Sequence, residues 1–202
     1  MLSISIITII AGYLLGAISF SYLFGKWFKG IDIRKHGSGN AGATNTLRVL
    51  GKGPAILVLI LDGLKGVAAV CLGIWAAPGP DDIWVCVLCG LAAIIGHNWP
   101  VYYGFRGGKG IATTIGVMAT LCFIPTLIAG LTAIAIIAIT RFVSLGSLVL
   151  TALLPFLIWG MDRPLPVLWI SILLCAFAFM RHRTNIVKLI QGKENKLGQK
   201  RA

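Results

Sequence analysis

The sequence predicts an all-α integral membrane protein with seven transmembrane helices, its N-terminus outside and its C-terminus in the cytoplasm. Three observations support this fold class. Hydrophobic residues make up 57% of the chain, charged residues only 12%, and the mean hydropathy of +0.91 is too high for a water-soluble domain. Several apolar runs reach the roughly 20 residues that a helix needs to cross hydrocarbon. Lys and Arg also gather in segments that a seven-span topology puts on one side of the membrane.

The apolar runs and the breaks between them give the spans in order. The first run is about twice as long as the apolar part of a cleavable signal, so we expect it to be retained as a span. The fourth and fifth spans are separated only by Pro125, and one long kinked helix, giving six spans, is the competing count. The spans are predicted at residues 4–24, 54–77, 83–97, 111–124, 126–140, 146–161 and 166–180, with a cytoplasmic tail at 181–202, all within one polytopic domain at 1–202.

The distribution of basic residues decides between the two counts. With seven spans and an inside C-terminus, the side opposite the cytoplasm keeps only Arg163 among the basic residues that border the spans. The turns on that side, 76–82 and 161–166, are short and carry the acidic residues Asp81, Asp82 and Asp162. Because cytoplasmic loops retain Lys and Arg near span ends, this asymmetry favours seven spans and an outside N-terminus.

The net charge of +12 does not indicate nucleic-acid binding, because its carriers border the spans and lack a soluble scaffold. Anionic lipid headgroups and anionic substrates are the expected partners. Cys86 and Cys89 form a CxxC pair without a companion pair, so we interpret them, like the other cysteines, as reduced packing residues. The three histidines, His36, His97 and His182, lie in separate loops without paired carboxylates, so neither a metal nor a cofactor is expected.

Two glycine-rich polar strings interrupt the apolar chain, and the topology puts both on the cytoplasmic side. They are GSGNAGATNTLR at 37–48 and GHNWPVYYGFRGGKGIATT at 96–114. In the first, we expect a helix over 41–50, with Asn40 or Ser38 as its cap and its N-terminal amides facing an anion. Three polar side chains would share one face of that helix, those of Thr44, Asn45 and Arg48. A mere interfacial turn is the alternative.

In the second string, the segment GGKG at 107–110 begins a predicted span. Small residues let backbone N–H groups approach phosphate oxygens, while Lys109 contributes a positive charge and Thr113 or Thr114 a hydroxyl. The spacing differs from the nucleotide-binding GxxxxGK[ST] loop, and no βαβ unit surrounds it, so ATP hydrolysis is disfavoured.

Two further pairs of residues have helical spacing. His182 and Asn185 are three apart and would share a face of a tail helix that ends at Gly192. Asp62 and Lys65 are three apart inside the second span, and we interpret them as a structural ion pair, although a charge in a membrane also marks functional sites.

Three long strings occur in this order and are separated by spans: SGNAGATN followed by Arg48, then GHNWPVYYGFRGGKGIAT, then RHRTNIVKLIQGKEN. Together they resemble the bacterial membrane acyltransferases that use acyl phosphate to acylate glycerol 3-phosphate. The resemblance implies transfer of a fatty acyl group to the 1-hydroxyl of glycerol 3-phosphate, giving lysophosphatidic acid and phosphate as phospholipid synthesis begins. It also implies a multi-pass protein of the bacterial cytoplasmic (inner) membrane, with its active site facing the cytoplasm.

The resemblance also implies roles for individual residues. Glu194 matches a glutamate held to be structural. The resemblance gives five expected catalytic residues: Ser38, Arg48, Lys109, His182 and Asn185. The expected substrate-binding residues are Asn40, Thr44, Gly107, Gly108, Gly110 and Ser144. All of them are expected to converge at the inner leaflet.

Acyl phosphate is already activated, so the enzyme needs only to position the hydroxyl and to stabilise charge on the carbonyl oxygen and the leaving phosphate. We expect direct transfer, and an acyl-enzyme formed on Ser38 with His182 as the base is the alternative. The hydroxyl proton would pass either to the donor's own phosphate or to His182. Acyl-chain preference and oligomeric state are not predicted.

A different class of function, a small transporter of phosphorylated solutes, would also place Lys and Arg near glycine-broken helices. A transporter predicts polar residues on both sides of the membrane and an internal repeat. The outer side is nearly bare here and no repeat is evident. A structural membrane subunit, the third possibility, leaves the polar strings without a purpose, so the acyltransferase is favoured.

Overall fold

The computed structural model describes residues 2–77, 79 and 82–198, and this part of the chain contains helices but no strands. It divides into two compact units, Met1–Leu121 and Cys122–Ala202. The helices of the first unit are α1 (Leu2–Gly16), α2 (Phe20–Lys29), α3 (Ala43–Leu50), α4 (Lys52–Ala76), α5 (Ile83–Asn98) and α6 (Ile111–Leu121). Those of the second are α7 (Phe123–Thr140), α8 (Val143–Gly160), α9 (Leu165–Arg181) and α10 (Arg183–Ile190).

The predicted all-helical membrane fold is confirmed, with five to six candidate spans by length and composition. Five segments of the described chain are long and apolar enough to cross a membrane: Ser3–Lys29, Lys52–Ala76, Ile83–Tyr103, Phe123–Thr140 and Val143–Gly160. Helices α9 and α10, bent by 64° at their junction, form the sixth candidate. Helix α6 is apolar but only about 16 Å long, against the ~30 Å thickness of hydrocarbon.

The apolar stretch at 111–140 forms two helices, and the break between them lies earlier than predicted. Helix α6 ends at Leu121, and Cys122 has a non-helical backbone with φ −153° and ψ 83°. The turn expected at Pro125 is therefore misplaced. Pro125 lies in the first turn of α7, where a proline is tolerated because the N–H it lacks has no intrahelical acceptor.

The first unit packs its helices closely through small residues. Helix α1 lies against α5, where a Cβ at Gly16 would overlap the carbonyl of Ala93 and one at Gly12 would lie 2.9 Å from the carbonyl of Cys89. Helix α4 lies against α6 in the same way, and a Cβ at Gly116 would overlap the carbonyl of Gly63. Small residues let membrane helices approach this closely. In lipid no hydrophobic driving force brings helices together, so the van der Waals contacts of such close packing stabilise their association.

The first span is broken, which the sequence did not predict. Helix α1 ends at Gly16 and α2 begins at Phe20, with Ser19 accepting a 3.4 Å hydrogen bond from the N–H of Tyr22 as its cap. Backbone groups released by such a break need new partners in the membrane. The Lys65 ammonium donates to the carbonyl of Ile18 at 2.7 Å and thus supplies one.

Lys65 in turn lies 2.8 Å from the Asp62 carboxylate, and both side chains are 2% exposed. The predicted ion pair of the second span is therefore confirmed. Asp62 compensates the charge of Lys65 in the membrane, and Lys65 donates a hydrogen bond to the Ile18 carbonyl. The ion pair therefore stabilises the break in the first span.

The second unit consists of α7, α8, α9 and α10. Helices α7 and α8 pack closely at Gly146, where a Cβ would lie 2.9 Å from the carbonyl of Ala133. Helix α8 packs on α9, His182 lies between α9 and α10, and Gln191 caps the end of α10. Gly192 follows with a left-handed φ of +66°, so the predicted stop of the tail helix is confirmed.

Candidate functional site

The first glycine-rich string folds back onto α3 through the side chain of Asn45. This side chain is buried, and its Oδ1 accepts the backbone N–H of Ser38 at 2.7 Å. Its Nδ2 donates to the carbonyl oxygens of Ile33 and His36, each at 3.1 Å. One amide thereby satisfies three backbone groups of the loop before α3, which holds the loop in one conformation. Gly37 lies against the same amide at φ +62°.

Two expectations about α3 are wrong. The helix begins two residues later than predicted, and its cap is Gly42, so neither Ser38 nor Asn40 caps it. Asn45 and Arg48 are three apart in the helix as predicted, but Asn45 is buried against the loop whereas Arg48 is exposed, a difference that the spacing did not predict. The physical reason is that a buried amide keeps its hydrogen bonds, and the loop offers three of them at once.

The remaining predicted residues of this string lie at or near the surface of the first unit. Ser38 and Arg48 are exposed, whereas Asn40 and Thr44 are half-buried. Arg48 and Thr44 are four residues apart in α3 and so lie on one side of it, as predicted. The string therefore presents a hydroxyl, an amide and a guanidinium over one short stretch of chain.

The second string leaves α5 and returns as a glycine loop packed on the end of that helix. The N–H of Gly108 donates to the carbonyl of His97 at 3.1 Å. Gly108 is buried, and a Cβ there would overlap the His97 imidazole and lie 2.6 Å from the carbonyl of Ala41 in the first string. The two glycine-rich strings thus touch at this glycine, and their expected convergence is confirmed.

The neighbouring glycines leave equally little room. A Cβ at Gly107 would overlap the carbonyl of His97, and one at Gly110, where φ is +79°, would lie 2.8 Å from Oδ1 of the buried Asn98. Lys109 stands between these two glycines and is half-buried. The glycines therefore let the loop pack closely on the end of α5 and on the first string, where larger residues would not fit.

In the second unit, the carboxylate of Glu194 connects two predicted site residues. Its Oε1 accepts a hydrogen bond from Nδ2 of Asn185 at 2.7 Å and another from the hydroxyl of Ser144 at 3.1 Å. Glu194 and Ser144 are both buried. This geometry supports the structural role expected of Glu194, which ties the chain after α10 to the start of α8.

His182 lies at the bend between α9 and α10 and is 3% exposed. Its ring Nδ1 is 2.8 Å from the carbonyl of Ala178, one turn earlier in α9. A carbonyl oxygen only accepts hydrogen bonds, so Nδ1 carries a proton in this contact. His182 ends α9 and Asn185 lies in the first turn of α10, so the 64° bend separates the two residues that the sequence predicted on one helix.

Sequence reasoning missed two residues of the first unit. His97, taken as one of three isolated histidines, lies with its Nδ1 3.6 Å from the Asp62 carboxylate and its ring against Gly108, so it connects the buried ion pair to the glycine loop. Arg34, taken only as a basic residue, donates to the carbonyl of Tyr103 in the second string. Both connect segments far apart in sequence, and the positions of such partners are not visible in a linear pattern.

The same buried region offers no metal site of the usual kind. Within residues 2–77, 79 and 82–198, no group of three or more His, Cys, Asp and Glu side chains lies close enough to hold a metal ion. The two glycine-rich strings instead contain hydroxyls, amides, glycine backbone and cations, which are groups that bind phosphate.

The fold and these groups define a multi-span helical membrane protein with a glycine-lined, cationic loop suited to a phosphorylated molecule. The family model described as Glycerol-3-phosphate acyltransferase matches residues 6–192. The chain belongs to this family, and it is therefore a membrane glycerol-3-phosphate acyltransferase, an enzyme of phospholipid biosynthesis.

Similar proteins support this assignment over nearly the whole chain. A glycerol-3-phosphate acyltransferase of Shouchella clausii is 56% identical over 98% of this chain and 98% of its own. One of Halalkalibacterium halodurans is 52% identical over 96% and 95%. A crystal structure of PlsY, an integral membrane glycerol 3-phosphate acyltransferase in its glycerol 3-phosphate form, is 38% identical with a TM-score of 0.88, covering 96% of both chains. A lysophosphatidic acid form of PlsY gives a TM-score of 0.87, with 38% identity over 96% of this chain and 95% of that one.

Proposed function

We propose that this enzyme transfers a fatty acyl group from acyl phosphate to the sn-1 hydroxyl of glycerol 3-phosphate, and that it releases lysophosphatidic acid and inorganic phosphate. The observation that carries the proposal is the 38% identity and 0.88 TM-score to a structure described as the glycerol 3-phosphate form of PlsY. A second form of that protein is described with lysophosphatidic acid, which is the product proposed here. The glycine loop and its lysine give this chain the groups that a phosphorylated acceptor needs.

In the first unit, we assign phosphate binding to the loop at 107–110. Lys109 provides the positive charge, and the backbone of Gly107 and Gly110 lets a phosphate approach the loop closely. Gly108 supports the loop from within, because its N–H donates to the carbonyl of His97. Arg48, with Thr44 and Asn40 near it in sequence, binds a second anionic group. Ser38, exposed and held by Asn45 through its backbone, orients the reacting hydroxyl or the acyl phosphate.

In the second unit, we assign catalytic roles to His182 and Asn185. The contact of Nδ1 with the Ala178 carbonyl orients the His182 ring, and a positioned imidazole is a common acceptor for a hydroxyl proton. Glu194 orients Asn185 by accepting a hydrogen bond from its amide. The Ser144 hydroxyl donates to the same carboxylate. Ser144 therefore acts on the substrate either indirectly, through Glu194, or directly after its hydroxyl rotates away from Glu194.

The proposed chemistry is direct transfer. The sn-1 oxygen of glycerol 3-phosphate attacks the carbonyl carbon of the acyl phosphate, and the bond from that carbon to the phosphate oxygen breaks as the new ester bond forms. Phosphate leaves with the electron pair, and the hydroxyl proton passes to it or to His182. Arg48, Lys109 and the glycine amides stabilise the charge that develops on the phosphate. An acyl-enzyme isolated on Ser38 with donor alone would contradict this route.

We further propose seven spans, with the N-terminus outside and the polar strings and C-terminus at the cytoplasmic face of a bacterial inner membrane. The distribution of Lys and Arg supports this orientation. In this topology, α6 is a short span of its own. A reporter fused after Ala76 should lie outside, and one fused after Leu189 should lie in the cytoplasm.

The choice of acyl donor tests the proposed reaction. Purified enzyme receives labelled glycerol 3-phosphate with palmitoyl phosphate, palmitoyl carrier protein or palmitoyl coenzyme A, and lipid product is counted. Only palmitoyl phosphate is expected to work, because the site contains phosphate-binding groups and no feature assigned to a carrier protein or a nucleotide. Turnover with either of the other donors at a comparable rate would overturn the acyl-phosphate dependence.

A further inference from the structure

Arg34 bridges the two glycine-rich strings. Its Nη1 donates to the carbonyl of Tyr103 at 2.7 Å and contacts the carbonyl of Arg106 at 3.4 Å. Both carbonyls lie in the second string, and Arg106 directly precedes Gly107 of the glycine loop. Arg34 itself leads into the first string, four residues before Ser38. One guanidinium therefore connects the segments that carry the serine and the glycine loop.

Asp32 fixes the other edge of this guanidinium. Its Oδ2 accepts from Nη2 of Arg34 at 2.8 Å, and its Oδ1 accepts from Nε at 3.0 Å. Oδ1 also accepts the backbone N–H of Arg34 at 3.0 Å, which caps the 3-10 turn Ile33–Lys35. The hydrogen bonds to Arg34 hold the pKa of Asp32 below its usual value, and those to Asp32 raise the pKa of Arg34. The two-point geometry needs a planar fork, which arginine has and lysine lacks.

The ring of Tyr22 lies against the guanidinium and packs in turn on the ring of Tyr103. The Arg34 guanidinium carbon lies 4.9 Å from the centre of the Tyr22 ring, and the Tyr22 and Tyr103 rings are 4.6 Å apart. Tyr22 lies in α2, so the bridge is fixed to the first span as well as to the two strings. The opposite end of the same loop is held to α3 by Asn45.

We propose that Arg34 is a positioning residue that sets the distance between Ser38 and the glycine loop at 107–110, and thereby the affinity of the site for glycerol 3-phosphate. It acts through the backbone carbonyls of Tyr103 and Arg106 and does not touch substrate. The inference rests on the proposed function in one respect, the assignment of phosphate binding to the glycine loop.

The test compares purified Arg34→Lys and Arg34→Gln enzymes with Lys35→Gln. The last removes one positive charge at the neighbouring exposed position and leaves the fork intact. Calorimetry gives the Kd for glycerol 3-phosphate, turnover gives KM and kcat, and a melting curve reports folding. Both Arg34 variants are expected to raise Kd and KM for glycerol 3-phosphate about tenfold or more while kcat falls less than about threefold, because displaced binding groups cost affinity first. Lys35→Gln is expected to match the wild type.

Two results would overturn the role. Wild-type Kd and KM in Arg34→Lys would mean that a positive charge at this position is enough for substrate binding and that the planar guanidinium is not needed. A lower melting temperature with unchanged Kd and KM in the folded enzyme would mean that Arg34 only stabilises the fold. Should neither Arg34 variant fold, Asp32→Asn keeps the arginine and weakens the fork, and an unchanged Kd in folded Asp32→Asn enzyme would overturn it equally. Because Kd needs no acyl donor, failure of the acyl-phosphate reaction would contradict the proposed function and leave this test intact.

Discussion

Replacing Lys65 with methionine tests whether the buried ion pair stabilises the broken first span. Methionine keeps the length and apolar stem of lysine but removes the ammonium that contacts Asp62 at 2.8 Å and the Ile18 carbonyl at 2.7 Å. Two penalties follow in the single variant. Asp62 becomes an uncompensated buried charge, and the Ile18 carbonyl loses its partner at the break between α1 and α2.

The two penalties differ in size and can be separated. Removing one member of a buried ion pair costs about 3–5 kcal/mol. Leaving a buried carbonyl without a donor costs about 1–3 kcal/mol. In a double variant, Asp62→Leu with Lys65→Met, the buried charge is gone. The loss of the Ile18 partner remains, together with the loss of the longer contact of Asp62 with His97. The double variant should therefore be more stable than Lys65→Met alone by about 2 kcal/mol or more.

The assay is unfolding of purified protein in mixed micelles of increasing sodium dodecyl sulfate, followed by tryptophan fluorescence. Lys52→Met is the matched control, since Lys52 is exposed in the first turn of the same helix, and it should change the free energy of unfolding by about 0.5 kcal/mol or less. A double variant no more stable than Lys65→Met, or a Lys65→Met enzyme as stable as the wild type, would refute the reasoning.

Three further predictions concern the site. Gly108→Ala should raise KM for glycerol 3-phosphate about tenfold or more, equivalent to about 1.4 kcal/mol, because the added Cβ has to displace the loop. Gly53 has open space around it, so the control variant Gly53→Ala should leave KM unchanged. A wild-type KM in both variants would refute the close packing at Gly108. Lys109→Ala should abolish turnover and leave the melting temperature unchanged, and an active variant would exclude it from phosphate binding. Glu194→Ala should lower the yield of folded enzyme more than its specific activity, and the reverse result would contradict its structural role.

The sequence predicted the helical membrane fold, because long apolar runs bounded by polar turns leave few other structures for a backbone in lipid. It also predicted the Asp62–Lys65 pair, which depends only on helical spacing. It did not predict the break in the first span, because residues 17–19 contain no proline or charge, and the group that stabilises the break, Lys65, comes from another helix. Hydrophobicity specifies that a segment enters the membrane, and packing decides where its helix is interrupted.

The same distinction applies to the candidate site. The residue types that bind phosphate were identifiable from glycine, hydroxyl and basic residues in two strings, and the contact of Gly108 with Ala41 confirms that those strings meet. The burial of Asn45 was not predicted, because helical spacing gives the face of a residue but not which loop covers that face. The participation of the C-terminal tail in the same site stays a prediction.

Two groups of charges in the first unit have different physical effects. Asp62 and Lys65 are opposite charges 2.8 Å apart, so at a distance their fields largely cancel, and the pair adds little net attraction for an anion. Lys109 and Arg48 lie in the two strings outside this pair, and their fields add. We therefore expect affinity for a phosphorylated substrate to depend on the second group and the glycine loop, while the first group stabilises the helices that carry them. For this reason the Lys65 variants should differ from the wild type mainly in unfolding, and Lys109→Ala mainly in turnover.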